Sequence, residues 1–248
     1  AEILPTERAD YLRVIVAELE RIHSHLLWAG VAGHELGFDS ILYYTWKLRE
    51  DFQDILEIIC GNRVNYAYYI FGGVRRDIDP EKIAKVRRIL AKHRKLEDTV
   101  LNVFLTDPTI KHRTKDVGVL TRENAVKLSA CGPLTRATGL RKDVRFDWPH
   151  AAYGDMMDNF HAIVPEELGY RSTGDIFNQI IVRLVEVFES VRMIDWCLDN
   201  IPKGDITSEP NLSALLMAKL RMADGEGIAR VEAPRGEDIH YVRLKKGK

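Results

Sequence analysis

Two arginines follow two glycines in Gly72-Gly73-Val74-Arg75-Arg76-Asp77, and guanidinium forks behind a flexible turn make a clamp for a carboxylate or another anion. An internal ion pair from Arg75 or Arg76 to Asp77 or Asp79 accounts for the same residues equally well. Arg235 follows Pro234, whose fixed φ lets a guanidinium be aimed with little loss of entropy; an ordinary exposed arginine at a hairpin tip is the competing reading. His34 and Glu35 stand in Gly33-His34-Glu35-Leu36-Gly37, expected to be a glycine-flanked turn between two apolar helices. A partly desolvated carboxylate there would have a raised pKa and serve as a proton relay; a helix cap or a solvated pair is the competing reading. His23 and His25 are two residues apart, about 200° around a helix, so they cannot chelate one ion and read as packed or solvent-facing histidines. Gly132-Pro133-Leu134-Thr135-Arg136-Ala137-Thr138-Gly139 matches neither nucleotide-loop spacing. Cys60, Cys131 and Cys197 are far apart and form no CxxC pair, which excludes a zinc, haem or dithiol site built from this stretch and suits a reducing compartment.

Long helices must position these groups. Leu12, Ile15, Val16, Leu19, Ile22, Leu26 and Leu27 form one helical stripe over residues 6–29, with Gly30 as the expected stop. A second helix is expected from a Ser40 cap to Cys60-Gly61, burying Leu48, Phe52, Ile55, Leu56 and Ile59. The aromatic run from Asn65 to Phe71, closed by Gly72-Gly73, reads as an extended segment entering a tight turn. Asp79-Pro80 opens a third helix that runs to about Phe104, ahead of Asp107-Pro108. A shorter helix follows Thr121, and residues 131–173 carry no sustained period, the mark of a long irregular segment that is either functional or disordered. Asp175 opens a fourth long helix that ends at Asn200, before Ile201-Pro202. Ile228 to Glu232 and Ile239 to Leu244 read as strands joined by Pro234-Arg235-Gly236-Glu237. The fold class is therefore mainly α: a bundle of long helices with a small C-terminal β hairpin.

Composition narrows the function classes. With 46% hydrophobic residues in 248, the chain buries a core without staples. Its 36 Lys+Arg against 37 Asp+Glu leave a net charge of −1, giving no electrostatic reason to expect nucleic acid as a partner. Charged residues interrupt every apolar run, so no membrane helix or signal peptide is expected. The chain starts at Ala1 and stops in Lys245-Lys246-Gly247-Lys248, and it reads as one domain over residues 1–248, a processed or partial polypeptide.

Several tracts in order carry a resemblance: Arg13-Val14-Ile15, Glu18-Leu19, Arg21-Ile22, Ser24-His25-Leu26, Glu35-Leu36-Gly37, Gly61-Asn62-Arg63, Gly72 to Asp77, Gly132-Pro133, Arg136 to Gly139, Asp143-Val144-Arg145, Asp175 with Arg183, and Glu232-Ala233-Pro234-Arg235-Gly236-Glu237. Together they resemble the large subunit of nickel-iron hydrogenases, nearest to the energy-converting, membrane-bound branch, and its relative, the quinone-site subunit of complex I. The resemblance implies a nickel-iron centre in the intact subunit, held by two CxxC pairs that these residues do not include. It thus implies no cofactor bound by this chain alone, since a soft metal site demands thiolates.

By the same resemblance Arg235 matches an arginine whose guanidinium lies over the open face of the metals. His240 falls where many relatives have histidine, and Glu35, with His34, where relatives carry acidic or proton-handling groups. Pro234, Arg75, Arg76 and Arg136 are implied as supports at the site, with no metal ligand among them. The implied function is hydrogen oxidation or proton reduction coupled to ferredoxin-type electron transfer. The alternatives are a complex I type quinone reductase subunit and a metal-free helical scaffold. Implied partners are a small iron-sulfur subunit, which carries its own cluster, and other subunits of a membrane complex on whose cytoplasmic face this chain would sit peripherally.

Overall fold

The computed structural model describes residues 3–208 and 212–245, so Ala1 and Lys246-Gly247-Lys248 lie outside the described residues. Helix α1 (Glu7–Glu35) starts where the Thr6 hydroxyl accepts from the Ala9 N–H at 3.2 Å, and its expected stripe from Leu12 to Leu26 is buried. The helix does not stop at Gly30. Gly30 and Gly33 lie inside it because α2 (Asp39–Cys60) crosses so closely. A Cβ on Gly30 would stand 2.5 Å from Thr45 Oγ1, and one on Gly33 would stand 2.6 Å from Ile41 Cγ2. These glycines are packing residues, and the chain turns only at Leu36-Gly37, where Gly37 has φ 85°. Nor does Ser40 cap α2: the capping position is Phe38, without a side-chain bond, and Ser40 lies within the first turn. Gly61 ends that helix as expected, with φ 79°.

The strands β1 (Tyr69–Ile70) and β2 (Gly73–Val74) form a small antiparallel ribbon around Phe71-Gly72. Asp79 caps α3 (Pro80–Thr106), accepting from Lys82 N at 2.8 Å. Asp107-Pro108 repeats that cap and opens a further helix, α4 (Pro108–Thr114), rather than only closing the third one. Thr121 caps the short α5 (Arg122–Lys127).

Residues 131–173 are short pieces: α6 (Gly132–Arg136), α7 (Val144–Asp147) and two 3-10 turns at Ala151–Met156 and Pro165–Leu168. Their backbone polar groups are met by local caps, as in Asp143 Oδ1 accepting from Arg145 N at 3.0 Å. Asp175 caps α8 (Ile176–Asn200), which packs along α1 and α3 to close the main core. After α9 (Leu212–Met222), β3 (Gly225–Ala233) pairs antiparallel with β4 (Gly236–Leu244) from Gly225↔Leu244 to Ala233↔Gly236. The hairpin is thus longer than the alternating pattern indicated, and its distal half exposes Ile228, Ile239, Tyr241 and Val242. Among the described residues no helix is long and apolar enough to cross a membrane.

Candidate functional site: a buried charge cluster beneath a hairpin arginine

Glu18, Arg21 and His25 sit three and four residues apart on α1, so one helix face carries all three. That face meets Glu186 and Ser190 of α8, Arg136 of α6, Asp143 and Arg145 at the start of α7, Tyr153, and Glu232 of β3, all of them buried. Glu18 accepts from Arg21 and Arg145, each at 3.2 Å, and from the Tyr153 and Ser190 hydroxyls, each at 2.5 Å. Burial alone would raise its pKa, but the two arginines and the hydroxyls outweigh it and bring the group down to about 2.

Arg136 is the hub. Its Nε reaches Glu186 at 2.6 Å, and its Nη1 reaches Glu232 at 2.8 Å and Asp143 at 3.3 Å. Arg145 holds Asp143 from the other side at 2.6 Å. Burial works against the charges of Asp143 and Glu186, yet their arginines keep both below the usual carboxylate range. Glu232 is shifted the opposite way: burial raises it, Arg136 counters, and the charge of Asp143 adds to the rise. His25 donates its Nε2–H to the Glu186 carboxylate at 2.8 Å, and burial pushes it down to about 4, so it is neutral at neutral pH. Buried ions are costly to desolvate, and this set is tolerable because nearly every charge is paired.

An open cleft of about 1720 Å³ runs past this cluster. Four of the residues expected at a site line it together, namely Arg75, Arg76, Pro234 and His240, and Glu232 and Tyr153 bring the cluster to its wall. Asp77 is taken by Arg8 at 2.7 Å and Asp79 by its cap, so neither forms the internal bridge to Arg75 or Arg76. His240 is exposed and bonds to Asp238 at 3.1 Å.

Arg235 stands exposed at the hairpin tip. The tip is seated on α6: a Cβ on Gly132, whose φ is 69°, would meet Gly236 Cα at 2.5 Å and the Arg235 carbonyl oxygen closer still. Arg183 of α8, close enough to Arg235 to feel its charge, is only 9% exposed, stacked 4.2 Å over the Trp28 ring and donating to Gln179 O at 3.1 Å. Burial together with the charges of Arg136 and Arg235, against Glu186, brings Arg183 down to about 10. Neither Arg183 nor Arg235 has a carboxylate within ion-pair distance among the described residues. They form a cationic spot over the charge cluster.

His34 and Glu35 are placed differently from the expectation. They form the last turn of α1, both exposed, with His34 Nδ1 2.6 Å from Asp39 Oδ1. Glu35 lies ten residues beyond His25, roughly 15 Å along the axis, so the desolvation expected of a buried turn is absent. Continuation of α1 through its packing glycines is the reason.

The thiols do not converge either. Cys60 and Cys197 are buried, burial pushing the Cys60 thiol up to about 12, while Cys131 lies against Gly236. Among the described residues no three His, Cys, Asp or Glu side chains come together as a metal site. These residues do not fit a nickel-iron centre.

The family model for the respiratory-chain NADH dehydrogenase 49 Kd subunit matches residues 35–248. The chain belongs to this family. Within the 49 Kd family and its hydrogenase kin, the chain is 42% identical over 244 residues to the membrane-bound hydrogenase subunit alpha of Pyrococcus furiosus. It is 39% identical over 241 residues to an F(420)H(2) dehydrogenase subunit of Methanosarcina mazei, and 34% over 230 residues to an NADH-quinone oxidoreductase subunit of Desulfotalea psychrophila. These matches cover 98%, 97% and 93% of this chain but 56%, 62% and 58% of the relatives, so the chain spans somewhat over half their length.

Only Arg136 of the buried cluster stood out as a site residue from sequence. His25 reads from sequence as an ordinary packed or solvent-facing histidine and Glu232 as the end of a strand; Glu18, Arg21, Asp143 and Arg145 stand only within resembling tracts, and Glu186, Tyr153 and Ser190 are not singled out at all. A signal was present: charged residues fall on the apolar stripes of α1 and α8, Glu186 between Leu184 and Val187 for instance, where an uncompensated charge would not be tolerated.

Proposed function

We propose that this chain is the core of the large subunit of an energy-converting nickel-iron hydrogenase, interconverting hydrogen with protons and electrons exchanged with a ferredoxin-type donor. The observation that carries the reading is the pair Arg183 and Arg235: two neighbouring guanidiniums with no ion-paired carboxylate among the described residues, one fixed on Trp28 and one on a turn seated against Gly132. Such preorganised charge stabilises negative charge that develops in a reaction. The metals supply the redox chemistry of such a subunit, and their ligands are not among these residues. What these residues contribute is position and electrostatics.

Arg235 is the catalytic group of this reading, with Pro234 and Gly132 setting its position and Arg75, Arg76 and His240 lining the adjoining cleft. His34 and Glu35, exposed at the end of α1, serve as an outer proton-handling pair; Glu35→Gln lowers turnover and leaves assembly intact. The exposed apolar half of the hairpin fits contact with a small iron-sulfur subunit, within a complex that this chain joins peripherally on the cytoplasmic side of the membrane.

Arg235→Lys in the full-length subunit, within its complex, tests the reading. It keeps the charge and loses the planar fork, so hydrogen evolution or isotope exchange falls about 10²-fold with metal content unchanged. Near-normal turnover at full metal loading removes Arg235 from the site. The cleft beside Tyr69, Ile70 and Phe71 favours a second reading, a quinone reductase subunit. Quinone-dependent turnover without hydrogen activity would select it.

A further inference from the structure

The buried cluster contains one more carboxylate than arginine. Among the arginines, only Arg21, Arg136 and Arg145 form ion pairs within 4 Å with Glu18, Asp143, Glu186 and Glu232, and the one other basic partner at that distance is His25, on Glu186 at 2.8 Å. An uncompensated charge at this depth is expensive, and a group so placed neutralises instead. His25 does not supply a fourth cation, since burial keeps it neutral. Arg183 approaches Glu186 from α8 without reaching ion-pair distance, and Arg235 opposes it. The cluster is therefore balanced by one proton.

Hydrogen bonding decides which carboxylate carries it. Glu18 has two arginines and two hydroxyls, Asp143 has Arg145 on both oxygens together with Arg136, and Glu186 has Arg136 and His25. Glu232 has only Nη1 of Arg136, which Asp143 shares, and the Val144 N–H at 3.0 Å on its other oxygen. Arg21 of α1 bonds to the Glu232 carbonyl at 2.6 Å rather than to its carboxyl. On β4, Glu237 faces Glu232 in register but is engaged by Lys142 and by Arg230 of β3, each at 3.5 Å. On the cleft side stand His150, and His240 held by Asp238. Of the four acidic residues, Glu232 alone borders the cleft, with its side chain enclosed just behind the wall.

We propose that Glu232 keeps the cluster's proton at neutral pH and exchanges it with the cleft, as a proton donor and acceptor for chemistry at the hairpin arginine three residues away. On release, the carboxyl O–H bond breaks, the proton passes to water or a base in the cleft, and the remaining carboxylate is held by Arg136 and Val144. No electron moves in this step. That Glu232 holds a proton stands on the cluster alone; its service to turnover rests on the redox reading above. Burial and the neighbouring Asp143 raise the Glu232 carboxyl, in keeping with both.

The test is infrared spectroscopy of the full-length subunit in its complex, in H2O and D2O, with Glu232→Gln and Glu232→Asp. A protonated-carboxyl C=O band at neutral pH that shifts on deuteration, disappears in Glu232→Gln and persists in Glu232→Asp supports the proposal. No such band in the wild type, or one that persists in Glu232→Gln, overturns it. If Glu232→Gln does not assemble, a change in the band's frequency in Glu232→Asp assigns it to this residue, and an unchanged band there overturns the proposal. Turnover of Glu232→Gln should fall about 10²-fold with loss of one limb of the pH profile. An unchanged rate and profile overturn the relay while leaving the proton store. A wild-type complex inactive with hydrogen and quinone alike defeats the redox reading and leaves the infrared result standing.

Discussion

Arg136 and Glu232, ninety-six residues apart in the chain, are joined by a bond of 2.8 Å between Nη1 and Oε1, both side chains fully enclosed. The bond ties the segment after Cys131 to the C-terminal hairpin. Because Arg136 also holds Asp143 and Glu186, removing it strands carboxylates from three directions. Arg136→Met fills much of the same volume but leaves buried charge unpaired, and loses about 3–5 kcal/mol of stability. Denaturant unfolding of the full-length subunit measures this, and a loss below about 1 kcal/mol would mean that the cluster relaxes by taking up protons.

The cluster also fixes a pH dependence. Glu18, lowered to about 2, takes up its proton at higher pH when unfolded. Its stabilisation is thus fully present above about pH 4.5 and lost as pH falls toward 2. Asp143 and Glu186 act in the same direction. His25, lowered to about 4, is protonated near pH 6.5 when unfolded, so the loss starts below that value. Glu232 has the opposite sign: its contribution is present at low pH and lost as pH rises through its raised folded value. Melting temperature should therefore fall from pH 6.5 downward and steepen below 4.5. Glu18→Gln flattens that acid limb, and Glu232→Gln leaves it in place.

The long helices are legible from apolar period and caps because both signals are local: Asp79, Thr121 and Asp175 each bond to N–H groups three residues on. Gly30 misleads for a tertiary reason. A glycine that ends a helix and one that admits a crossing helix look alike until Thr45 is placed against it. The charge cluster is hidden for the same reason, since its carboxylates and arginines come from five elements and only folding shows that they pair. The place of Arg235 at a hairpin tip is legible because proline and glycine flank it in the chain itself.

Gly30 yields its own test. Alanine in a helix interior is favoured over glycine by about 1 kcal/mol, but here its Cβ would stand 2.5 Å from Thr45 Oγ1 and 2.8 Å from Trp46 Nε1. Thr45 is buried and bonded to Ile41 O at 2.8 Å, so it cannot move aside freely. Overpacking of this kind costs about 1–3 kcal/mol, and Gly30→Ala should be net destabilising in thermal melts. A rise in melting temperature would show that α1 and α2 separate at little cost.

Gly132 bears on Arg235 directly. Its φ of 69° already disfavours a side chain, by about 1–2 kcal/mol. A Cβ there would also strike the backbone of Arg235 and Gly236, which cannot rotate away as a side chain can. Gly132→Ala should therefore lift the hairpin tip from α6 and move Arg235 from its place near Arg183. A misplacement near 1 Å costs about 10²-fold in rate where orientation matters. Gly139→Ala is the control: its φ is 82°, but its Cβ would meet Ser172 Cβ at 3.1 Å rather than the hairpin. Both substitutions should lower stability, Gly132→Ala the more because its Cβ meets backbone. Only Gly132→Ala should also reduce turnover in the full complex about 10²-fold at unchanged metal content, and equal turnover in the two variants would show that the hairpin seat does not position the reacting arginine.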